Sequence, residues 1–299
     1  MVDEKQLRDI IQQVLGEMEV TKDSQGKASV QHATRRTEAV KEQVDAGSIP
    51  DVSEADIRRQ YLVEHPVNRD AFYEIKQAAP CRLGIGKAGA RYKTLPYLQF
   101  RAAHSAAQDA VFSDVDPKFV EQLGLFTVQT QCENKDVYLT RPDLGRKLNE
   151  EGVKAVKEKC MKNPKVQIYV SDGLSSAAVE ANTKDVLPSI LQGLKSYGIE
   201  TGTPFFVKYG RVGAMDQISE LTGADVTCVL IGERPGLLTA ESMSAYIAYK
   251  ATVGMPESKR TVVSNIHKEG TIPAEAGAHI ADIIKTILDK KASGTDLRI

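Results

Sequence analysis

The stretch RLGIGKAGAR, residues 82–91, carries three glycines at the spacing G-x-G-x-x-G: Gly84, Gly86 and Gly89. In dinucleotide-binding proteins this spacing follows a buried strand and places the pyrophosphate at a helix N-terminus. Here Pro80 and Cys81 stand where that strand should be rich in Val and Ile. A stand-alone nucleotide-binding oxidoreductase that uses the GIGKAG loop is therefore kept only as the alternative hypothesis.

The same loop is basic, with Arg82, Lys87, Arg91 and Lys93 within twelve residues. These cations would suit a phosphate-bearing ligand or the acidic groups of a partner chain. They would equally suit a solvated turn, and the sequence leaves these possibilities open.

Polar and glycine-rich segments follow four apolar runs in the second half of the chain. They are SDGLSS (171–176), KYGRVGAMD (208–216), GERPGLLT (232–239) and SNIHKEGT (264–271). Ligands of open parallel sheets bind beyond the carboxyl ends of the strands, so these segments together predict a ligand site. Taken singly, Asp172 and Ser175 could only cap a helix, and Arg234 could only pair with an acid.

A catalytic set is not evident among these segments, which lack a G-x-S-x-G elbow and a persuasive carboxylate pair. His267 is their only histidine. Its context NIHKEG is similar to the D-x-H-x-x-G signature by which some cobalamin proteins bind cobalt, but Asn265 replaces the Asp. An amide would orient the imidazole without raising its basicity, so His267 is either a metal ligand or a structural residue.

The apolar runs VQIYV, PFFVKY, DVTCVLI and RTVVSNI alternate with helical patterns around residues 183–197, 213–222, 240–251 and 273–291. This alternation predicts an α/β fold, an open and mainly parallel sheet with helices on both faces, Rossmann-like, preceded by a smaller mostly helical region. Two further short strands are predicted at LFTVQ and DVYLT.

Four segments are predicted along the chain: an amphipathic helix at 1–20, a flexible linker at 21–50, a mostly helical region with the basic glycine loop at 51–130, and an α/β domain at 131–299. A one-sided helix on a tether is typical of a docking peptide, although it could also fold back onto its own domain.

The composition of the 299 residues excludes several classes of function. A net charge of -1 provides no global field toward nucleic acid or a membrane, and no apolar run is long enough for a secretory signal or a membrane span. The four cysteines are widely spaced, which predicts neither a disulfide framework nor a metal site. We expect a cytoplasmic protein.

Several long motifs, in order, resemble the small (light) subunit of ethanolamine ammonia-lyase from about residue 55 to the C-terminus. They are VYLTRPDLGRKL, VSDGLSS, GTPFFVKYGRV, GERPGL and SNIHKEGTIPAEA. The resemblance implies adenosylcobalamin as the cofactor and a large barrel subunit that carries the substrate pocket. The reaction converts ethanolamine to acetaldehyde and ammonia by radical chemistry, with no catalytic side chain from the small subunit.

The resemblance assigns cofactor contacts to Val212, Glu233 and Val262. Some family members have Cys at the position of Val262, so a thiol contact is replaced here by a backbone contact at most. Family members keep the cofactor's own benzimidazole on cobalt, which implies a structural His267.

The resemblance also implies a higher-order hetero-oligomer, and residues 1–20 are similar to the encapsulation peptides of bacterial microcompartment enzymes. The expected location is the microcompartment lumen, with shell or cargo contacts through that helix. A non-catalytic shell adaptor is a third hypothesis.

Overall fold

A computed structural model describes residues 51–298 apart from Ser53, Ile57, Arg58 and Pro80. The predicted helix 1–20 and linker 21–50 lie outside the described residues. The described helices are α1 (Arg69–Ala78), α2 (Thr94–Phe112), α3 (Pro117–Gln122), α4 (Lys135–Thr140), α5 (Glu150–Lys159), α6 (Ser176–Ser196), α7 (Ala214–Thr222) and α8 (Pro273–Lys290). The strands are β1 (Lys87–Ala88), β2 (Arg91–Tyr92), β3 (Phe126–Gln129), β4 (Val166–Ser171), β5 (Phe205–Lys208), β6 (Val226–Gly232), β7 (Met243–Tyr249) and β8 (Thr261–Ile266).

The core of the described chain is a six-stranded sheet in the order β3-β5-β4-β6-β7-β8. Strands β3, β5, β4 and β6 are parallel. Strand β7 is antiparallel to both of its neighbours, so β8 runs in the same direction as β6. The predicted α/β class, with an open and mainly parallel sheet between helices, is confirmed.

Helices cover both faces of the sheet, and β6 shows how the sequence accomplishes this. All seven of its residues are buried, as expected for a parallel strand with two covered faces. Cys228 and Leu230 pack with residues of α6 and α8, whereas Val229 and Ile231 pack with residues of α5 and α7. We call these the α6/α8 face and the α5/α7 face.

Two local predictions are wrong. The pattern of residues 240–251 predicts a helix, but Met243–Tyr249 form β7, in which Met243, Ala245 and Ile247 alternate toward the α6/α8 core. The run DVYLT predicts a strand, but it lies in α4, where the Asn134 side chain accepts a hydrogen bond from the Val137 N–H at 3.0 Å and caps the helix. Tertiary pairing and a cap outweigh residue preference in these segments.

The first strand of the sheet, β3, pairs with β5 and precedes residue 131. The sheet therefore begins within the region that the sequence assigns to residues 51–130, and the division at residue 130 stays a prediction. That region also contains α1, α2, α3 and the two-residue hairpin β1–β2. None of the described helices has the length and apolar character needed to cross a membrane.

Candidate functional site

The four polar segments singled out in the sequence all meet at one edge of the sheet. They follow β4, β5, β6 and β8, which run in the same direction, so their carboxyl ends lie at the same edge. After β4 the chain enters α6 on one face, and after β5 it enters α7 on the other. The ends of β4 and β5 thus form the topological switch point at which open α/β sheets commonly bind ligands.

Side chains of this protein fill that switch point. Asp172, 1% exposed, follows β4 and accepts three backbone hydrogen bonds. The N–H of Gly173 donates to Oδ1 at 2.9 Å, that of Gly210 to Oδ1 at 3.2 Å, and that of Tyr209 to Oδ2 at 2.8 Å. The carboxylate thereby joins the end of β4 to the turn after β5.

A buried cation accompanies this carboxylate. Lys135, at the start of α4, is 9% exposed, and its Nζ has no hydrogen-bond partner among the described residues. Nζ lies 5.4 Å from the centroid of the Tyr138 ring and 5.5 Å from that of Tyr209, within cation–π range. Burial lowers the pKa of Lys135, and the attraction of Asp172 opposes that change.

The carboxyl group of Asp172 has a perturbed acidity. Burial raises its pKa to about 6, although Lys135 and the three backbone N–H groups favour the charged form. Within the described part of the chain the group faces no exposed substrate-sized space, because Asp172, Tyr138 and Tyr209 are all buried. The hydrogen bonds of the group all join parts of the sheet edge to one another.

The glycine loop lies apart from the sheet. Gly84, Gly86 and Gly89 all have positive φ, and they lead into and connect the hairpin β1–β2, which pairs only with itself in the described chain. The preceding element is helix α1 rather than a buried strand. Gly86 is needed because a Cβ there would lie 2.9 Å from the Leu62 carbonyl oxygen. The three glycines are explained by turn geometry.

The basic residues of this loop differ in their surroundings. Arg82 donates from Nη2 to the carbonyl oxygen of Leu237 at 2.9 Å and stacks over Phe100, which connects the loop to the segment after β6. Lys93 pairs with Glu64. Lys87 and Arg91 are exposed, so they remain available to a partner or to solvent.

Of the three residues that the family resemblance assigns to the cofactor, two are direct neighbours of Tyr246 on the α5/α7 face, and the third packs against the same hydrophobic cluster. Val262 of β8 is the cross-strand partner of Tyr246, and Tyr246 is the partner of Val229 in β6. Val212, in the turn before α7, packs against the same hydrophobic cluster as Tyr246. Glu233 follows β6 and accepts a hydrogen bond at Oε1 from the Tyr246 hydroxyl at 3.0 Å.

The hydrogen bond from Tyr246 orients Glu233 but engages only one of its two carboxylate oxygens. Its carboxylate is partly exposed, and Oε2 has no hydrogen-bond partner among the described residues. Burial, followed by the charge of Glu233, raises the pKa of the Tyr246 hydroxyl to about 12, so the hydroxyl keeps its proton even in alkaline solution. One carboxylate oxygen is thus fixed while the other can accept a hydrogen bond from a ligand amide.

Val262 and Val212 offer apolar surface and backbone groups beside this carboxylate. Val262 is 45% exposed and lies within β8, which has β7 as its single neighbour in the described sheet. Val212 is partly exposed, and its N–H has no hydrogen-bond partner in the described part of the chain. Val262 lies near the start of β8 and not at its carboxyl end. The three residues therefore do not all lie in a crevice beyond the carboxyl ends of the strands.

His267 is engaged within its own loop. The N–H of Glu269 donates to Nδ1 at 3.2 Å, and Nε2 lies 2.9 Å from Oδ1 of Asn265. An imidazole that accepts at Nδ1 carries its proton on Nε2, so Nε2 donates to Asn265. Asn265 itself has a positive φ of 63°. Both ring nitrogens are occupied and the side chain is 5% exposed, which makes His267 a structural residue.

Sequence reasoning misses Tyr246 and Lys135. The pairing of Tyr246 with Val262 requires β7 to be a strand, whereas the pattern of residues 240–251 predicts a helix. The alternation MSAYIAY is the available signal. For Lys135 no local signal exists, because a lysine at a helix start ordinarily lies in solvent and only the fold buries it.

The sequence is similar to a known family along nearly its whole length. The model of the family "Ethanolamine ammonia-lyase light chain (EutC)" matches residues 69–298. The ethanolamine ammonia-lyase small subunit of Clostridium tetani is 58% identical over 299 residues, covering 100% of both chains. That of Clostridium perfringens is 57% identical over 298 residues, covering 99% of this chain and 100% of the relative. That of Listeria innocua is 54% identical over 298 residues with the same coverage.

Proposed function

Because the chain belongs to the ethanolamine ammonia-lyase light chain family, we propose that it covers adenosylcobalamin with the sheet face around Tyr246 while a large subunit carries out the reaction. The chain is one subunit of a lyase. In this proposal the complete enzyme converts ethanolamine to acetaldehyde and ammonia, and the catalytic side chains belong to the large subunit.

One observation supports the proposal most strongly. Glu233 accepts a hydrogen bond from Tyr246, and Val262 is the cross-strand partner of the same tyrosine. Val212, from a third segment, packs against the hydrophobic cluster that Tyr246 also contacts. Their chemistry suits a corrin ring, which is broad, apolar on its faces and rimmed by neutral amides. Exposed valine surface would lie against the ring, and the free oxygen of Glu233 would accept an amide N–H in a charge-assisted hydrogen bond.

The residues of this chain then bind, orient and exclude water. When bound, adenosylcobalamin supplies radical chemistry through its cobalt–carbon bond. Glu233 would hold an amide of the rim, with Tyr246 keeping the carboxylate in place. Val212 and Val262 remove water from the apolar surface that they cover. The chain contributes no cobalt ligand through His267, because both nitrogens of that ring are already engaged.

The Glu233→Ala variant tests this role. In the reconstituted complex we expect corrinoid affinity to fall by about 1–3 kcal/mol, since an amide N–H of the ligand loses its buried acceptor. Equilibrium dialysis with cyanocobalamin measures the dissociation constant without turnover.

Glu200→Ala is the matched control, because Glu200 is an exposed glutamate between α6 and β5, at the sheet edge opposite to the one that carries Glu233. Its affinity should equal that of the wild type. Equal affinities for Glu233→Ala and the wild type would refute the role of Glu233.

The nucleotide-binding alternative is not favoured. The loop of Gly84, Gly86 and Gly89 lies in a separate hairpin, and the switch point of the sheet is filled by Asp172 and Lys135. We expect the purified chain to leave NADH fluorescence unchanged. A saturable change in that fluorescence would restore the oxidoreductase hypothesis.

The amphipathic pattern of residues 1–20 supports a role in localisation. We infer that this segment directs the complex, a higher-order hetero-oligomer, into the lumen of a bacterial microcompartment through shell or cargo contacts. Deletion of residues 1–20 should leave the activity of the reconstituted complex intact and abolish its localisation. Loss of activity would reject the tether, and would instead indicate a helix that folds onto the enzyme.

A further inference from the structure

The turn that carries Val212 is held in an unfavourable backbone conformation. Tyr209 has a φ of 58°, in the left-handed region that side chains other than glycine seldom adopt. The next residue must be glycine, because a Cβ at Gly210 would lie 2.3 Å from Oγ of Ser171. A turn of this kind persists only when surrounding contacts determine it.

Those contacts converge on the buried groups at the switch point. The N–H groups of Tyr209 and Gly210 both donate to the Asp172 carboxylate. The Tyr209 carbonyl oxygen accepts from Oγ1 of Thr130 at 2.9 Å, and that of Gly210 accepts from the Tyr138 hydroxyl at 3.3 Å. Asp172 is the one charged group among these partners, and it holds both N–H groups at the strained position.

Lys135 lies beside the same turn, with its Nζ 5.5 Å from the centroid of the Tyr209 ring and 5.4 Å from that of the Tyr138 ring. Its ammonium is buried and has no hydrogen-bond partner in the described structure, and its charge favours the ionised form of Asp172. An ionised carboxylate is a stronger acceptor for the two N–H groups than a neutral carboxyl. A buried, unpartnered ammonium is costly, so its presence beside Asp172 calls for a function.

We propose that Asp172 and Lys135 are positioning residues, which hold the turn Tyr209–Val212 in the conformation that presents Val212 to the cofactor. This inference rests on the proposed function and extends it to two residues that do not themselves meet the ligand. Lys135 acts through Asp172, and Asp172 acts through the backbone of the turn.

Asp172→Asn in the full-length chain tests the positioning directly by hydrogen exchange of the hydrogen-bonded amides in residues 209–211. An amide group cannot accept all three N–H bonds with the strength of a carboxylate, so exchange should rise about tenfold or more there. Asp185→Asn, the same change at an exposed position of α6, is the control and should leave exchange unchanged. Unchanged exchange in Asp172→Asn would overturn the proposal.

Lys135→Met is a second, independent variant with nearly the same side-chain volume. If Asp172→Asn does not fold, Lys135→Met still tests whether these buried groups hold the turn Tyr209–Val212. Exchange at residues 209–211 should rise in this variant as well. In the double variant, exchange should equal that of Asp172→Asn alone, because Lys135 acts through Asp172. Independent, multiplicative increases would overturn the assignment of Lys135.

Binding of cyanocobalamin to the complex with the large subunit separates this inference from the proposed function. We expect Asp172→Asn to weaken binding about tenfold, with Asp172→Glu recovering part of the loss. If the wild-type complex does not bind cyanocobalamin, the proposed function fails, and hydrogen exchange still decides whether Asp172 holds the turn. If the wild type binds and Asp172→Asn binds equally well, the positioning role fails alone.

Discussion

Single side chains at the sheet edge divide into those that meet solvent and those that support them. Glu233 and Val262 are accessible, whereas Tyr246 is half-buried and Asp172 is fully buried. The accessible residues are predicted as cofactor contacts from sequence, because the family resemblance can be applied position by position. Their supporting residues could not, since the contact of Glu233 with Tyr246 depends on a cross-strand pairing that residue types do not encode.

The buried carboxyl group of Asp172 should make the stability of the chain depend on pH. Burial raises its pKa to about 6, from an ordinary value of 3.8. The folded chain therefore binds more protons than the unfolded chain between these values, and the contribution of Asp172 to stability decreases as pH rises from 4 to 6. We expect the unfolding free energy of the wild type, relative to Asp172→Asn, to fall by about 2–3 kcal/mol between about pH 4 and pH 7.

Urea denaturation of both proteins at several pH values measures this difference. A difference that grows as pH rises would mean that Lys135 and the backbone donors outweigh burial, and that the carboxyl is more acidic than usual.

A second residue-scale prediction concerns the buried ion pair of Arg260 and Asp216, whose side chains are 1% and 9% exposed. Arg260 precedes β8 and donates from Nη2 to both Asp216 oxygens of α7, at 2.8 and 3.0 Å. Arg260→Met should lower the unfolding free energy by about 3–5 kcal/mol, because it leaves a buried carboxylate without its counter-charge.

Lys165→Met is the matched control, since Lys165 pairs with Asp225 at 2.8 Å but is 66% exposed. That variant should lose less than about 1 kcal/mol. Similar losses in the two variants, by urea denaturation at neutral pH, would contradict the importance of burial for the Arg260 pair.

At the scale of elements, the strand-to-helix turns are as closely packed as the core. Gly173, after β4, has a φ of 57°, and a Cβ there would lie 2.2 Å from the carbonyl oxygen of Gly232. The same oxygen accepts from the Leu174 N–H at 3.0 Å, so the ends of β4 and β6 are in direct backbone contact. The position of Glu233 depends on this contact.

Gly173→Ala should therefore destabilise the chain by about 2–4 kcal/mol, from overpacking together with left-handed strain. It should also weaken corrinoid binding, because Glu233 follows the displaced Gly232. Gly236→Ala is the control: it lies in the segment after β6, and a Cβ there would meet no described atom within 4 Å. Its change should stay within about 0.5 kcal/mol by the same urea assay; comparable losses would refute the close packing at Gly173.

Strands β6 and β7 show which strands can be predicted from local sequence patterns and which cannot. The run DVTCVLI predicts β6 because a strand buried on both faces is apolar throughout. The run ESMSAYIAYK favours a helix, since its alanines and methionine have high helix propensity. Its alternation of apolar and polar residues is too incomplete to predict a strand. Its strand conformation follows from pairing with β6 and β8, so the alternation MSAYIAY is a weak local signal that the tertiary pairing decides.

For the whole molecule, the described chain presents an accessible patch of the α5/α7 face around Tyr246 and Val262, with an oriented carboxylate and no evident catalytic set of its own. The net charge of the full sequence, -1, provides no general attraction for a partner, so recognition must be local, through the surface around Glu233 and the basic loop with Lys87 and Arg91.

We expect the chain alone to be inactive toward ethanolamine and to bind cyanocobalamin weakly. Co-expression with a large subunit should restore activity, and activity of the isolated chain would contradict the division of roles.

The most direct test of the account is a cryo-electron microscopy map of the complex of this chain with the large subunit and cyanocobalamin. We expect the corrin ring within contact distance of Val212, Glu233 and Val262, with an amide of its rim hydrogen-bonded to Glu233. A corrin ring bound away from all three residues would contradict the proposed role of this sheet face.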